Sequence, residues 1–290
     1  MKYLFFSLRP KHWVKNFLIF LPLIFGKKLF FFAAALKVTA SFFIFSLASG
    51  VVYLINDIID VKNDQLHPTK RLRPIASGKL NLKGAKIAAA VLAAASAIAS
   101  FWLDINFGWV IIFYLVLNSL YSKGLKDEVI IDVFCLSVFF LLRILAGCIA
   151  AEVTISHWII IMIVLLALFL GFNKRRQELK TLEHKAVLHR QVLAKYNAYF
   201  IDQMIAVITP SLVIAYTLYT VDARTVKEFG THKLLYSIPF VYYGLFRYLY
   251  LIHKLKKEGD PTYIVFLDKK LQLDVLLWLI VCITIIYFRF

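Results

Sequence analysis

Several common enzyme signatures are missing from this chain. It has no P-loop, no Gly-x-Gly-x-x-Gly dinucleotide fingerprint, no His-Glu-x-x-His and no Gly-x-Ser-x-Gly. Cysteine is scarce as well: Cys135, Cys148 and Cys282 all fall in apolar runs, too scattered for a zinc site or a disulfide framework, and are read as buried apolar packing. The seven histidines are dispersed, and only His67 lies in a suggestive motif. No low-complexity linker divides the chain, so residues 1–290 are read as one polytopic membrane domain. Arg9, Lys11 and Lys15 precede the first apolar run and no small-residue cleavage site clearly follows it, so no cleavable leader is expected. Acidic residues are outnumbered, 17 against 34 Lys and Arg, for a net charge of +17. That balance could suggest a nucleic-acid partner, but the placement of the cations argues otherwise.

Apolar sequence is what the chain has in excess. Hydrophobic residues make up 61 % of it, with a mean hydropathy of +0.75, where a soluble domain holds about 45–50 %. The excess runs along the whole length. Each helical span needs about 20 apolar residues, which predicts an all-α integral membrane protein of about nine helices. The runs lie at about 13–26, 38–58, 85–103, 107–122, 129–151, 156–173, 200–220, 233–252 and 271–288. Taking the N-terminus and the segments near 60–86, 121–128, 174–198 and 253–270 as one side collects 25 of the 34 cations. By the positive-inside rule that side is cytoplasmic. The long polar segments lie there too, and the active site is expected with them.

Asn56-Asp57-Ile58-Ile59-Asp60-Val61-Lys62-Asn63-Asp64 closes the second apolar run. Asp57, Asp60 and Asp64 are spaced i, i+3, i+7 and share one helix face. A solvated helix end would also carry acids and bases, but these acids follow Tyr53-Leu54-Ile55 while the run is still apolar, where charge is expensive unless it is used. Three unpaired carboxylates on one face repel one another, and a divalent cation relieves that. Mg²⁺ suits a site with few protein ligands and room for phosphate oxygens. The nearby cations Lys70, Arg71 and Arg73 suit an anionic phosphate substrate.

Three further clusters qualify. Tyr121-Ser122-Lys123-Gly124-Leu125-Lys126-Asp127-Glu128, ending with Asp132, reads as a cytoplasmic turn that returns to the face of the first cluster. Lys174-Arg175-Arg176-Gln177-Glu178 is either a topology anchor or a phosphate site in which Glu178 orients Lys174 across one turn. Arg9-Pro10-Lys11-His12-Trp13-Val14-Lys15-Asn16 reads as an interfacial entry helix or as a lid over an anionic lipid head group. Arg143 shares a face with Asp132 three turns away and is expected to pair within the bundle. Arg247 and Asp274 are read as an interhelical pair.

The motif Asn56-Asp57-x-x-Asp60-x-x-x-Asp64 with Arg73-Pro74-Ile75-Ala76-Ser77-Gly78 resembles the first aspartate motif of the UbiA superfamily of intramembrane prenyltransferases. Arg9-Pro10-Lys11-x-Trp13-Val14-Lys15-Asn16, His67-Pro68-Thr69-Lys70-Arg71-x-Arg73-Pro74, Tyr121-x-x-x-Leu125-Lys126 and Lys174-Arg175 with Glu178 are similar to its decaprenyl-phosphate phosphoribosyltransferase branch. The resemblance covers most of the chain and is weakest after about residue 200. It implies helices around a central cavity open to the cytoplasm and a multi-pass enzyme of the plasma membrane. It also implies a Mg²⁺-dependent transfer of phosphoribose from 5-phosphoribosyl diphosphate (PRPP) to a polyprenyl phosphate, for cell-envelope sugar precursors. On that basis Asp57, Asp60 and Lys126 are expected to be catalytic. Asn56, Asp57, Asp60, Asp64 and Asp132 are expected at the metal. Lys11, Lys15, Asn16, Tyr53, Lys70, Arg71, Arg73, Tyr121, Lys174, Arg175 and Glu178 are expected at the substrates. The family's second Asp-x-x-x-Asp motif is altered here: Glu128-x-x-x-Asp132, or Asp127 with Asp132, stand nearest to it. A prenyltransferase using a prenyl diphosphate and a small acceptor is the alternative. A homo-oligomer is left open, and no nucleic acid is expected.

Overall fold

The computed structural model of the chain describes residues 2–66, 70–182, 191–254 and 267–288. Every regular element among them is helical. Two compact units emerge, residues 1–124 with 142–154, and residues 125–141 with 155–290.

The first unit is built on helices α1 (Phe32–Ile59), α2 (Leu82–Leu103) and α3 (Ile105–Lys123), with the second half of α4 (Ile131–Ala151). Each start has a local cause. Asn81 Oδ1 accepts the Lys83 amide at 3.0 Å to cap α2. Asp104 Oδ1 accepts the amides of Asn106 and Phe107 at 2.7 and 3.0 Å, so one residue both ends α2 and starts α3. α1 packs against α2, and α2 against α3.

The second unit begins with the first half of α4. It continues through α5 (His157–Leu182), α6 (Ala198–Val221), α7 (Ile238–Lys254) and α8 (Lys269–Phe288). Its core joins Val133 of α4, Phe169 and Phe172 of α5, Ile201 and Ile205 of α6, and Tyr248 of α7. The expected Arg247–Asp274 pair does not form. Arg247 grips Asp268 at 2.7 and 3.2 Å, six residues earlier.

Seven helices among the described residues are long and apolar enough to cross a membrane: α1 to α6 and α8. Of the nine predicted runs, 13–26 and 233–252 take a different form. The first is a 3₁₀ segment, Pro10–Phe20, followed by the short helix Leu21–Phe25. Pro10 and Pro22 remove backbone donors, and Asn16 turns inward to polar partners. Gly147 of α4 lets this segment approach, because a Cβ there would meet the Ile19 carbonyl. The eighth run divides into a 3₁₀ turn, Lys233–Ser237, and α7, which begins at Ile238-Pro239.

Candidate active site

In the first unit the acidic motif sits where α1 ends. Ile59 is the last residue of α1, Asp60 follows, and the short helix Val61–Leu66 carries on. The Asp60 amide still reaches the Asn56 carbonyl at 2.9 Å, and the Asp64 amide reaches that of Asp60 at 2.8 Å. The near-continuous helix therefore keeps the three acids at the predicted spacing. Asp57 is only 2 % exposed, yet it is well supplied with cations. Arg9 Nη2 donates to its Oδ1 at 2.5 Å, and Arg73 Nη1 donates to the same oxygen at 3.1 Å. Arg73 Nη1 also donates to Asp64 Oδ2 at 2.6 Å. Burying a carboxylate costs several kcal/mol unless it is paired, and here two guanidinium groups share that task.

The chain positions both arginines deliberately. Ile75 is buried against Leu54, Ala85 and Ala89, which anchors the segment two residues beyond Arg73. Gly78 then turns the chain at φ 74°, a backbone that disfavours other residues, and the Leu80 amide closes on the Pro74 carbonyl at 2.8 Å. Arg9 adopts φ 51° immediately before the 3₁₀ segment. Its guanidinium lies 4.8 Å over the Tyr53 ring, and His12 packs on that ring. Arg9 was not among the expected site residues, although it stands in the quoted N-terminal motif; only its spacing from Asp57 in space, not in sequence, reveals its role. Ser122 was missed too. Its hydroxyl donates to Asn56 Oδ1 at 2.7 Å, joining the ends of α3 and α1 within the first unit.

Other expected residues are distributed around this centre. Lys11 is exposed and Lys15 half-buried on the 3₁₀ segment; Lys70 is half-buried and Arg71 exposed on the turn Lys70–Leu72; Tyr121 is half-buried at the end of α3. His67, Pro68 and Thr69 lie outside the described residues. Asn16, expected at the substrates, is enclosed by polar side chains. It is 0 % exposed, its Nδ2 donates to Ser46 at 2.9 Å and Ser49 at 3.4 Å, and its Oδ1 accepts Arg143 Nε at 2.7 Å. Arg143 also lies 5.0 Å over the Phe45 ring. Its expected pairing within the bundle is made, with Asn16 as the acceptor.

In the second unit Lys126 sits half-buried on the 3₁₀ turn Leu125–Asp127. Asp132 is 0 % exposed in the first turn of α4. Arg175 Nε donates to its Oδ2 at 2.6 Å, and the Tyr196 hydroxyl to its Oδ1 at 2.7 Å. Both oxygens of the carboxylate expected at a metal are thus engaged by the protein. Arg175 Nη1 donates to Glu178 at 2.6 Å, so Glu178 orients Arg175 rather than Lys174. Arg175 is thus buried between two carboxylates, and Lys174 is half-buried on the same turn. Lys195 Nζ donates to the Asp127 carbonyl at 3.1 Å and steadies the turn that bears Lys126.

No three His, Cys, Asp or Glu side chains among the described residues converge as a ready-made metal cage. The oxygens of the first unit nonetheless suit Mg²⁺ in kind. They are hard donors, one or two of them suffice alongside waters and substrate phosphates, and Asp57 and Asp64 are already drawn together by Arg73.

Comparison with known proteins gives these features a context. Residues 19–267 match the model of the UbiA prenyltransferase family. Decaprenyl-phosphate phosphoribosyltransferase of Mycolicibacterium smegmatis is 31 % identical, over 97 % of this chain and 92 % of the relative. The protein of the same name from Corynebacterium glutamicum is 30 % identical, over 97 % of this chain and 86 % of its own length. Among solved structures, a UbiA homologue from Archaeoglobus fulgidus bound to GPP and Mg²⁺ superposes with a TM-score of 0.72 at 16 % identity, covering 99 % of each chain. From the family match and the near-full-length relatives, this chain belongs to the UbiA prenyltransferase family and is a multi-pass membrane transferase.

Proposed function

We propose that the protein transfers 5-phosphoribose from PRPP to a polyprenyl phosphate and releases diphosphate. The observation that carries this reading is the meeting of Arg9 and Arg73, 64 positions apart in sequence, on the buried Asp57. Arg9 and Arg73 offset Asp57 and Asp64, and Lys11, Lys15, Lys70 and Arg71 of the same two segments add further positive charge. A donor and an acceptor that both bear phosphate would use it. The names of the near-full-length relatives support the same substrates.

In the proposed reaction a phosphate oxygen of the lipid attacks the anomeric carbon of the ribose. The bond from that carbon to the diphosphate oxygen breaks, and its electron pair leaves with diphosphate. The lipid phosphate is already anionic, so no strong general base is required, and rate comes from positioning and charge stabilisation. Asp57, Asp60, Asp64 and Asn56 would hold Mg²⁺, whose charge would neutralise the departing diphosphate. Asp132 is outside this set because Arg175 and Tyr196 engage it. Arg9 and Arg73 hold Asp57 in place and can share their remaining N–H donors with phosphate oxygens. Lys126, Lys70, Arg71, Lys11 and Lys15 would bind the other phosphates. The active site would face the cytoplasm, across the plasma membrane from the cation-poor loops.

Purified protein in detergent, given Mg²⁺, labelled PRPP and a polyprenyl phosphate, is expected to move label into the organic phase, and Asp57→Asn is expected not to. Turnover of a prenyl diphosphate with a small acceptor, and none with PRPP, would assign the chain to conventional prenyl transfer instead.

A further inference from the structure

The short helix Lys2–Ser7 of the first unit has no part in the reaction above. One side of it is tied down. Leu4 packs against the cluster of Leu54, Ile75, Ala85 and Ala89, near the end of α1 that bears Asp57. The buried Leu8 follows the helix, and a Cβ at Gly50 of α1 would meet the Leu8 Cβ at 3.0 Å, so Gly50 admits this close seat. The other side is bare: Tyr3, Phe5 and Phe6 are 43, 54 and 56 % exposed. Lys2 is exposed too, and helical spacing sets it between Phe5 and Phe6. Lys79 Nζ lies 5.9 Å over the Tyr3 ring. Lys83 and Lys86 are exposed on the first turns of α2, on either side of the buried Ala85 in sequence. The first 103 residues hold no acid besides Asp57, Asp60 and Asp64. Among the described residues none of these four lysines pairs with a carboxylate, whereas Asp57 and Asp64 are held by arginines.

We propose that this face is a seat for anionic phospholipid headgroups, in the leaflet that borders the acidic motif, and that lipid bound there steadies the backbone from which Arg9 reaches Asp57. Exposed aromatic rings beside unpaired lysines suit a membrane–water interface of negative charge: the rings enter the acyl boundary and the ammonium groups reach the phosphates. Hydrocarbon alone would leave those ammonium groups without partners, and a zwitterionic surface offers them no net charge. A six-residue helix is too short to hold itself in water, so contact along its bare side decides how well it is ordered. That order passes to Arg9. The Leu8 amide closes on the Leu4 carbonyl at 3.2 Å and the Arg9 amide on that of Phe6 at 3.1 Å, directly ahead of the φ 51° that aims Arg9 at Asp57. The inference concerns the helix and its lipid, and stands whichever donor the enzyme takes.

The experiment follows amide hydrogen exchange over residues 2–9 of the full chain in nanodiscs, one set of phosphatidylcholine alone and one of phosphatidylcholine mixed with phosphatidylglycerol. Each lysine near an anionic surface favours binding roughly fivefold, so phosphatidylglycerol is expected to slow exchange in this stretch, the Arg9 amide included, by roughly 5-fold or more. Lys79→Gln, Lys83→Gln and Lys86→Gln combined leave the measured stretch unaltered and remove exposed charges only. That variant is expected to bring the two lipids to within about 2-fold of each other. Equal exchange of the unmutated protein in both lipids, or full slowing retained in the triple variant, overturns the seat. Protection found only in discs that hold two or more chains assigns the face to a second copy and overturns it as well.

Discussion

The hydroxyl of Tyr196 donates to Asp132 at 2.7 Å and accepts the backbone amide of Ile130 at 2.8 Å. One side chain therefore fastens both the start of α4 and the residue before it. Ile130 needs that support, because a β-branched residue at φ 70° is strained, at a cost of about 1–3 kcal/mol. Three to five residues upstream lies the turn that bears Lys126. Tyr196→Phe leaves the Ile130 amide without its acceptor and one Asp132 oxygen without its donor. It is expected to lower stability by about 1–3 kcal/mol, read as an earlier thermal unfolding midpoint in detergent; an unchanged midpoint would sink the idea. Burial, then the bond to Asp132, raises the Tyr196 pKa from 10.0. The unfolded chain ionises first, so this contribution is whole below pH 10.0 and is lost as pH climbs toward the raised value. The gap between the unmutated protein and Tyr196→Phe should narrow accordingly.

Asp57→Asn tests the first unit. The substitution keeps the side chain's shape and removes the charge that Arg9 and Arg73 share. Both arginines are about a quarter exposed and can turn to water, so the fold should survive. Transfer is expected to fall by roughly 100-fold or more, the scale of losing one electrostatic group at a reacting centre. Activity within about 3-fold of the unmutated protein, in a variant with an unchanged unfolding midpoint, would remove Asp57 from the site.

The sequence made the helical class legible because long apolar runs admit few other forms. It also located α1 and its acids, since a period of 3.6 is written in the spacing of Asp57, Asp60 and Asp64. What it did not reveal was which cation meets which acid. Arg9 lies 48 residues before Asp57, and Arg175 lies 43 after Asp132. Such pairings depend on how helices pack, and no local pattern encodes that. Asn16 shows the same limit in reverse. Its place in a motif of cations suggested a ligand, whereas the 3₁₀ segment turns it toward Ser46 and Arg143. Pro22 and Pro239 stand in the first turns of the helices Leu21–Phe25 and Ile238–Lys254, where each of the two runs passes from 3₁₀ to α form.

Arg175 and Asp132 make a buried ion pair at 2.6 Å, with exposures of 1 % and 0 %. Removing one partner strands the other, so Arg175→Met is expected to cost about 3–5 kcal/mol. Asp132→Asn combined with Arg175→Met removes the stranded charge and should recover part of that loss. A double-mutant cycle on thermal or denaturant unfolding checks both statements. If Arg175→Met alone unfolds like the unmutated protein, the pair has no structural weight, and Arg175 returns to the list of phosphate-binding candidates.

Asn16 separates packing from substrate binding in the first unit. Its amide is enclosed, and it accepts from a buried arginine while donating to two serines. Asn16→Leu removes the acceptor and leaves Arg143 to find another within an apolar bundle, an expensive arrangement. Asn16→Asp keeps an acceptor for Arg143 and supplies a counter-charge, but it loses the donor to Ser46 and Ser49; both serines can instead turn their hydroxyls toward the new carboxylate. The unfolding midpoint is therefore expected to fall clearly for Leu and much less for Asp. In the folded fraction of either variant, KM for PRPP, the proposed donor, should stay within about 2-fold, since a group acting through packing removes no ground-state contact to substrate. A KM that rises tenfold in Asn16→Asp while its midpoint holds would show that Asn16 touches the donor after all.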